Sequence, residues 1–179
     1  DPVQRESTRL SVAGHLLSQA TYDFGRWTEI FNLQETWVTD LDFNNYKTLY
    51  KVNLWEEIYS EEITALRHHL DMILHMDKND PPLFLSNLRT DTVPLSSGQL
   101  IHHPRHAKYL KQKCDSLGTG AVIVTREIPV EDRTDMLDFF FTEFFRDIQR
   151  KSVKIVKQKL HVYPNPAGSN LFINYAVHQ

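Results

Sequence analysis

Leu10, Ala13, Leu17, Ala20, Phe24, Trp27 and Phe31 follow one another at spacings of 3, 4, 3, 4, 3 and 4. That recurrence is one face of an α-helix, so the spacing predicts a core-facing helix of about six turns over this stretch, capped by Ser7 or Thr8. Gly14 and Gly25 lie inside it, each costing up to ~1 kcal/mol relative to alanine. Asp40 and Asp42 are polar punctuation. A second helix is predicted over 45–59. A third starts from a Ser60 cap, with Glu61 and Glu62 in its first turn where the helix dipole favours acids. Ile63, Leu66, Leu70, Ile73 and Met76 supply its apolar face. From 77 to 100 the turn formers Asn79-Asp80-Pro81-Pro82, Val93-Pro94 and Ser96-Ser97-Gly98 predict a long Pro-rich loop open to proteolysis.

The pattern then changes. Pro104 suits the first turn of a helix and Gly118 its stop, with Ala107, Leu110, Cys114 and Leu117 on the apolar side. Ala121-Val122-Ile123-Val124 is a continuous apolar run, as expected of a buried strand. A helix over 132–150, capped by Asp132 or Thr134, buries Met136, Leu137, Phe140, Phe141, Phe144, Phe145 and Ile148, with Phe139 outside the arc. Phe141 and Phe144 are accordingly expected in the core. Residues 153–163 and 170–177 read as a hairpin around Pro164-Asn165-Pro166-Ala167-Gly168-Ser169. The fold class expected is α+β, a helical N-terminal half packed on a small C-terminal β-α-β-β unit. The chain reads as a single domain, 1–179, with a helical subregion 1–77, a Pro-rich loop 78–100 and a mixed α/β subregion 101–179.

Composition narrows this picture. A chain of 179 residues can bury a core without staples, and its single cysteine, Cys114, excludes an internal disulfide and a Cys-rich zinc site. No apolar run approaches the ~18–20 residues that span a bilayer. Without a reason to require an oxidising compartment, the expectation is an intracellular, cytoplasmic protein. The net charge is −3, yet residues 1–77 carry thirteen acids against six bases while 78–179 carry ten against fourteen. Such asymmetry bears on association rather than on fold.

Candidate chemistry is sparse. His102, His103 and His106 fall within five residues, with His68, His69 and His75 on the third helix. Imidazole ligates transition metals, and a helix beginning at Pro104 would place His103 and His106 on one side. A metal needs three or four converging ligands, and no HExxH or trusted Cys/His spacing supplies them. Exposed or capping histidines at the rim of a loop are the plainer reading, so no metal or other cofactor is expected. Arg146, Arg150, Lys151, Lys154, Lys157 and Lys159 form a basic cluster opposed only by Asp147. It could neutralise a polyanion, or simply protect a sheet edge. No RNP-like or GxxG motif accompanies it, so nucleic acid is not the favoured partner. Phe139 and Phe145, at the margins of the aromatic helix, are candidates for cover by a partner. No GxSxG elbow or phosphate loop is present, and Cys114 sits on an apolar helical face.

Val162-Tyr163-Pro164-Asn165-Pro166-Ala167 resembles the opening of the C-terminal sorting domain of proteins exported by the type IX system. Such domains run on for many tens of residues, whereas thirteen follow Pro166, so nothing is carried from it to the rest of the chain. The expectation is a non-enzymatic interaction or regulatory domain of a larger protein or assembly, binding a protein partner. The alternatives are a small metal-dependent hydrolase or nuclease using His103 and His106, and polyanion binding through Arg150, Lys151, Lys157 and Lys159.

Overall fold

Leu83–Asn87 is the middle strand of a parallel sheet. In the computed structural model, which describes residues 10–152, 161–164 and 171–174, this strand, β2, lies between β1 (Ala13–Leu16) and β3 (Ala121–Thr125). Gly14 is opposite Phe84 and Phe84 opposite Val122, both in parallel register. Parallel neighbours cannot be joined by a tight turn, so both connections run through helices. The first holds α1 (Trp27–Phe31), α2 (Glu35–Tyr50), a 3-10 turn at Trp55–Tyr59, α3 (Glu61–Leu70) and α4 (Met72–His75). The second holds α5 (Ser97–Ile101) and α6 (Pro104–Leu117). After β3 come α7 (Met136–Ser152) and the antiparallel pair β4 (His161–Pro164) and β5 (Leu171–Asn174). The architecture is α+β, helical in its N-terminal half, with β3, α7, β4 and β5 following in that order.

Strand side chains alternate, and both faces of this sheet are covered. Leu83, Leu85, Ala121 and Ile123 meet the main core with Trp27, Phe31, Ile58, Leu100 and Leu110. Phe84, Val122 and Val124 meet Met136, Phe139 and Phe140 on the other side. With strand order β1-β2-β3, two right-handed crossovers fall on one face, which leaves the opposite face to α7.

Two acidic side chains tie the first crossover together. Asp71, fully buried, accepts hydrogen bonds from Thr21 Oγ1 at 2.8 Å, from Arg26 Nε at 2.8 Å and from the Ile73 amide at 3.1 Å. Asp23 accepts from Arg67 Nε at 2.8 Å and from the Gly25 amide at 3.0 Å. A Cβ on Gly25 would lie 1.8 Å from Arg67 Nη2, so this glycine makes room for the ion pair.

Several elements depart from the sequence reading. The six-turn helix over 10–31 does not form. Its residues instead make β1, a 3-10 turn at Phe24–Arg26 and the short α1. Its apolar positions serve different elements that share one core, and Gly14 admits the Phe140 ring, whose Cζ would stand 3.0 Å from a Cβ there. The second helix runs from Glu35 to Tyr50 and ends at Lys51 in the left-handed region (φ 56°). The Pro-rich loop carries the central strand β2. Ser60, Pro104 and Gly118 do what was expected: Ser60 accepts from the Ile63 amide, Pro104 opens α6, and Gly118 ends it at φ 73°. Asp135, not Asp132 or Thr134, caps α7, accepting from the Leu137 amide at 2.8 Å.

The aromatic face of α7 is also corrected. Phe139 is buried at 7% exposure, whereas Phe141, Phe144 and Phe145 are 60%, 49% and 55% exposed. A narrow sheet accepts the strip Met136, Phe139, Phe140 and Glu143, spaced 3, 1 and 3, and Leu137, Phe141, Phe144 and Phe145 face outward. Phe139→Ala should therefore cost about 3–5 kcal/mol and Phe141→Ala under ~1 kcal/mol, measured by urea denaturation. The reverse ranking would show that the helix packs on another face.

Candidate functional site

All three parallel strands end on the same side, and the segments leaving β2 and β3 diverge there around a cleft of about 510 Å³. Ligands of open parallel sheets characteristically bind outside the carboxyl ends of the strands. The cleft is floored by the turn that follows β2, from Leu88 to Pro94, and closed by Gln99, His102, His103 and Pro104 from the α5–α6 junction, with Arg126 from the end of β3.

Its walls are held by side chains the chain places at the ends of its elements. Asn87, buried at the last position of β2, donates from Nδ2 to the His102 carbonyl at 3.1 Å and accepts the Arg89 amide on Oδ1 at 3.1 Å. One carboxamide thus joins the strand end, the following turn and the α5–α6 junction. His103 caps α6: the Arg105 amide donates to its Nδ1 at 3.2 Å. That bond assigns the ring proton to Nε2, which donates to the Thr92 carbonyl at 2.7 Å. Gln99 Oε1 accepts the Leu95 amide at 2.7 Å, which leaves its NH2 group as the part open to a ligand. His102 Nδ1 lies 2.6 Å from the carbonyl of Leu17, the residue after β1, and therefore donates to it. Leu17 is itself held in the left-handed region at φ 51°.

The charge in the cleft is one-sided. Arg89 and Arg126 reach it from the two strand ends, bonded to the Gly98 carbonyl at 3.4 Å and to Thr90 Oγ1 at 3.0 Å. Among the described residues neither has an ion-pair partner, and no carboxylate lines the cleft. Asp91, in the same turn, is engaged elsewhere, accepting from Arg105 Nε at 2.9 Å and Lys108 Nζ at 2.7 Å. Partial burial would raise its carboxyl, but the hydrogen bonds from Lys108 and Arg105 outweigh that and hold it below the usual range. Burial lowers His103, so its 3.9 Å approach to Asp91 is not an ion pair near neutrality.

Of the residues singled out from sequence, His102 and His103 line the cleft. His106 lies in the core against Trp27 and Phe31, with Nε2 3.1 Å from the Leu100 carbonyl. His103 and His106 each commit a ring nitrogen to a carbonyl, and among the described residues no group of three ligands is arranged to hold a metal. His68, His69 and His75 are exposed, the last two with ring centroids 6.4 Å apart. Cys114 is buried, and burial raises its thiol. Phe139 belongs to the core, a correction to its reading as a partner contact, while Phe145 is exposed. Arg150 and Lys151 fall in the last turn of α7, and Lys154, Lys157 and Lys159 lie outside the described residues. Arg89, Arg126, Gln99 and Asn87 were missed. For Arg89 and Arg126 the signal is a basic residue just past an apolar strand, which is invisible at Arg89 unless 83–87 is recognised as a strand; Asn87 closes that same strand, and Gln99 in α5 carries no such signal.

Compared with protein-family models, curated proteins and solved structures, the chain matches none. Among the described residues no helix is long and apolar enough to cross a membrane.

The histidines set an acid limit on stability. Burial pushes His106 down to about 3 and lowers His15 and His103 as well. Each is neutral when folded and takes a proton more readily when unfolded, so stability is full above the ordinary histidine value of 6.5 and is lost as pH falls below it. Chemical denaturation at pH 7.5 and 5.0 should show a lower midpoint at pH 5.0. His106→Gln should reduce that difference, and a midpoint independent of pH between these values would contradict the assignment.

Proposed function

We propose that this domain binds a small anionic ligand in the cleft at the carboxyl ends of β2 and β3. The observation that carries the reading is the pair Arg89 and Arg126, two guanidinium groups on one cleft of about 510 Å³ lined by no carboxylate. Volumes of this order suit small-molecule sites. Guanidinium is the usual partner of carboxylate and phosphate oxygens, being weakly hydrated and able to donate two parallel hydrogen bonds. The neighbouring acid, Asp91, is already neutralised by Arg105 and Lys108 and does not compete.

A second reading keeps a protein partner. It is favoured by the row Leu137, Phe141, Phe144 and Phe145 on α7, all at least 49% exposed, with Phe141 and Phe145 stacked at 6.4 Å. An apolar surface of this kind on a monomer marks an interaction site more often than an accident. The cleft lies at the strand ends and the exposed row on the outer side of α7, so the two readings are compatible.

Amide NMR of the folded protein titrated with sodium sulfate tests the first. Shifts should concentrate at residues 88–92, 99–103 and 126, and the Arg89→Ala/Arg126→Ala protein should lose them while keeping its denaturation midpoint, because exposed side chains contribute little to stability. Shifts that are scattered, or that survive the double substitution, would overturn the reading.

A further inference from the structure

We infer that the ligand of this cleft is a phosphate monoester of a small organic group, its phosphate held between Arg89 and Arg126 and its ester group lying on Leu88, Pro94 and Pro104. This rests on the anion-binding reading above and narrows it to one chemistry.

Charge is the first reason. A monoester carries about −1.5 to −2 at neutral pH, against −1 for a carboxylate. Two guanidiniums without carboxylate partners in the cleft match the larger charge, whereas a single carboxylate would leave one of them uncompensated.

Geometry is the second. A carboxylate has two oxygens in one plane, and one guanidinium satisfies it through two parallel bonds. Here the donors come from separate directions. Arg89 belongs to the turn after β2, Arg126 to the end of β3, and the free NH2 of Gln99 to α5. Donors on three segments suit three oxygens at the corners of a tetrahedron. The amides at the start of α6 are not part of the arrangement, because Pro104 has none and those of Arg105 and His106 are taken by His103. The phosphate is therefore bound by side chains rather than by a helix terminus.

Size is the third. Inorganic phosphate fills only a small part of about 510 Å³. The remaining wall includes the exposed Leu88 and the edges of the largely buried Pro94 and Pro104, which favour an organic substituent over water.

Isothermal titration of the whole protein with phenyl phosphate, inorganic phosphate, benzoate and phthalate tests the assignment. Phenyl phosphate is expected to bind at least about tenfold more tightly than any of the other three, and Arg126→Ala to weaken it about tenfold, the size of one lost charge-assisted hydrogen bond. Arg126→Lys, which keeps the charge but loses the fork, should recover only part of that loss. If benzoate or phthalate binds as well as phenyl phosphate, with the same dependence on Arg126, the cleft takes anions but the monoester assignment is wrong. If inorganic phosphate equals phenyl phosphate, the apolar wall has no role and the assignment is also wrong. Absence of binding by all four overturns both the assignment and the anion-binding reading.

Discussion

β2 is paired in parallel on both of its edges, and most of the architecture follows from that constraint. Neither neighbour can be reached by a short turn, so the chain must leave one end of the sheet and return to the other twice. The helical material of the N-terminal half is the first of these returns, and α5 with α6 is the second. Since both returns cover one face, the other face of Phe84 would be open to water without α7. Since all three strands run the same way, their carboxyl ends gather on one side, where the segments beyond them part and leave the cleft.

The long first return is closed by ion pairs as well as by apolar contact. Asp71 and Asp23 fasten residues 20–31 to α3 and α4 through Arg26 and Arg67. Such pairs contribute modestly against an apolar alternative, but removal of one partner leaves a buried charge without compensation, which typically costs 3–5 kcal/mol. Thr21 donates to Asp71 while its hydroxyl oxygen accepts the Asp23 amide, so the two acids share a single intermediary and act together.

What could be read in the sequence was what local chemistry decides. The α6 boundaries were legible because a proline and a glycine are tied to opposite helix ends by backbone geometry alone. Ser60 was legible as a cap and Ala121–Val124 as a strand, although at the sheet edge only Val124 of these four is buried. The segment 10–31 was misread because a 3,4 recurrence of apolar residues also arises when a strand, a turn and one helical turn contribute to a common core. Leu83–Leu85 was missed because three apolar residues between Pro82 and Ser86 carry too little periodicity to outweigh the turn formers around them. Unless 83–87 is recognised as a strand, Arg89 has no strand end to stand on, and the cleft it shares with Arg126 cannot be assembled from the sequence. On α7 the apolar content was read correctly, but how much of it a sheet this narrow can cover is a tertiary fact. His102 and His103 drew notice as metal ligands. Their place in the fold gives His103 to a helix cap and His102 to a backbone carbonyl.

That carbonyl belongs to Leu17, a bulky residue in a left-handed conformation that disfavours side chains with a Cβ by roughly 1–2 kcal/mol. Its amide donates to the Ser86 carbonyl at 3.0 Å and its carbonyl accepts from His102, so the strained residue is held from both sides. The end of β1 and the wall of the cleft are thereby joined through His102. On the anion-binding reading proposed above, an occupant that drew His102 toward itself would release Leu17, and by the reciprocity of linkage a change that relaxed Leu17 would alter affinity in the cleft. A backbone strain remote from the arginines would then tune what they are proposed to hold.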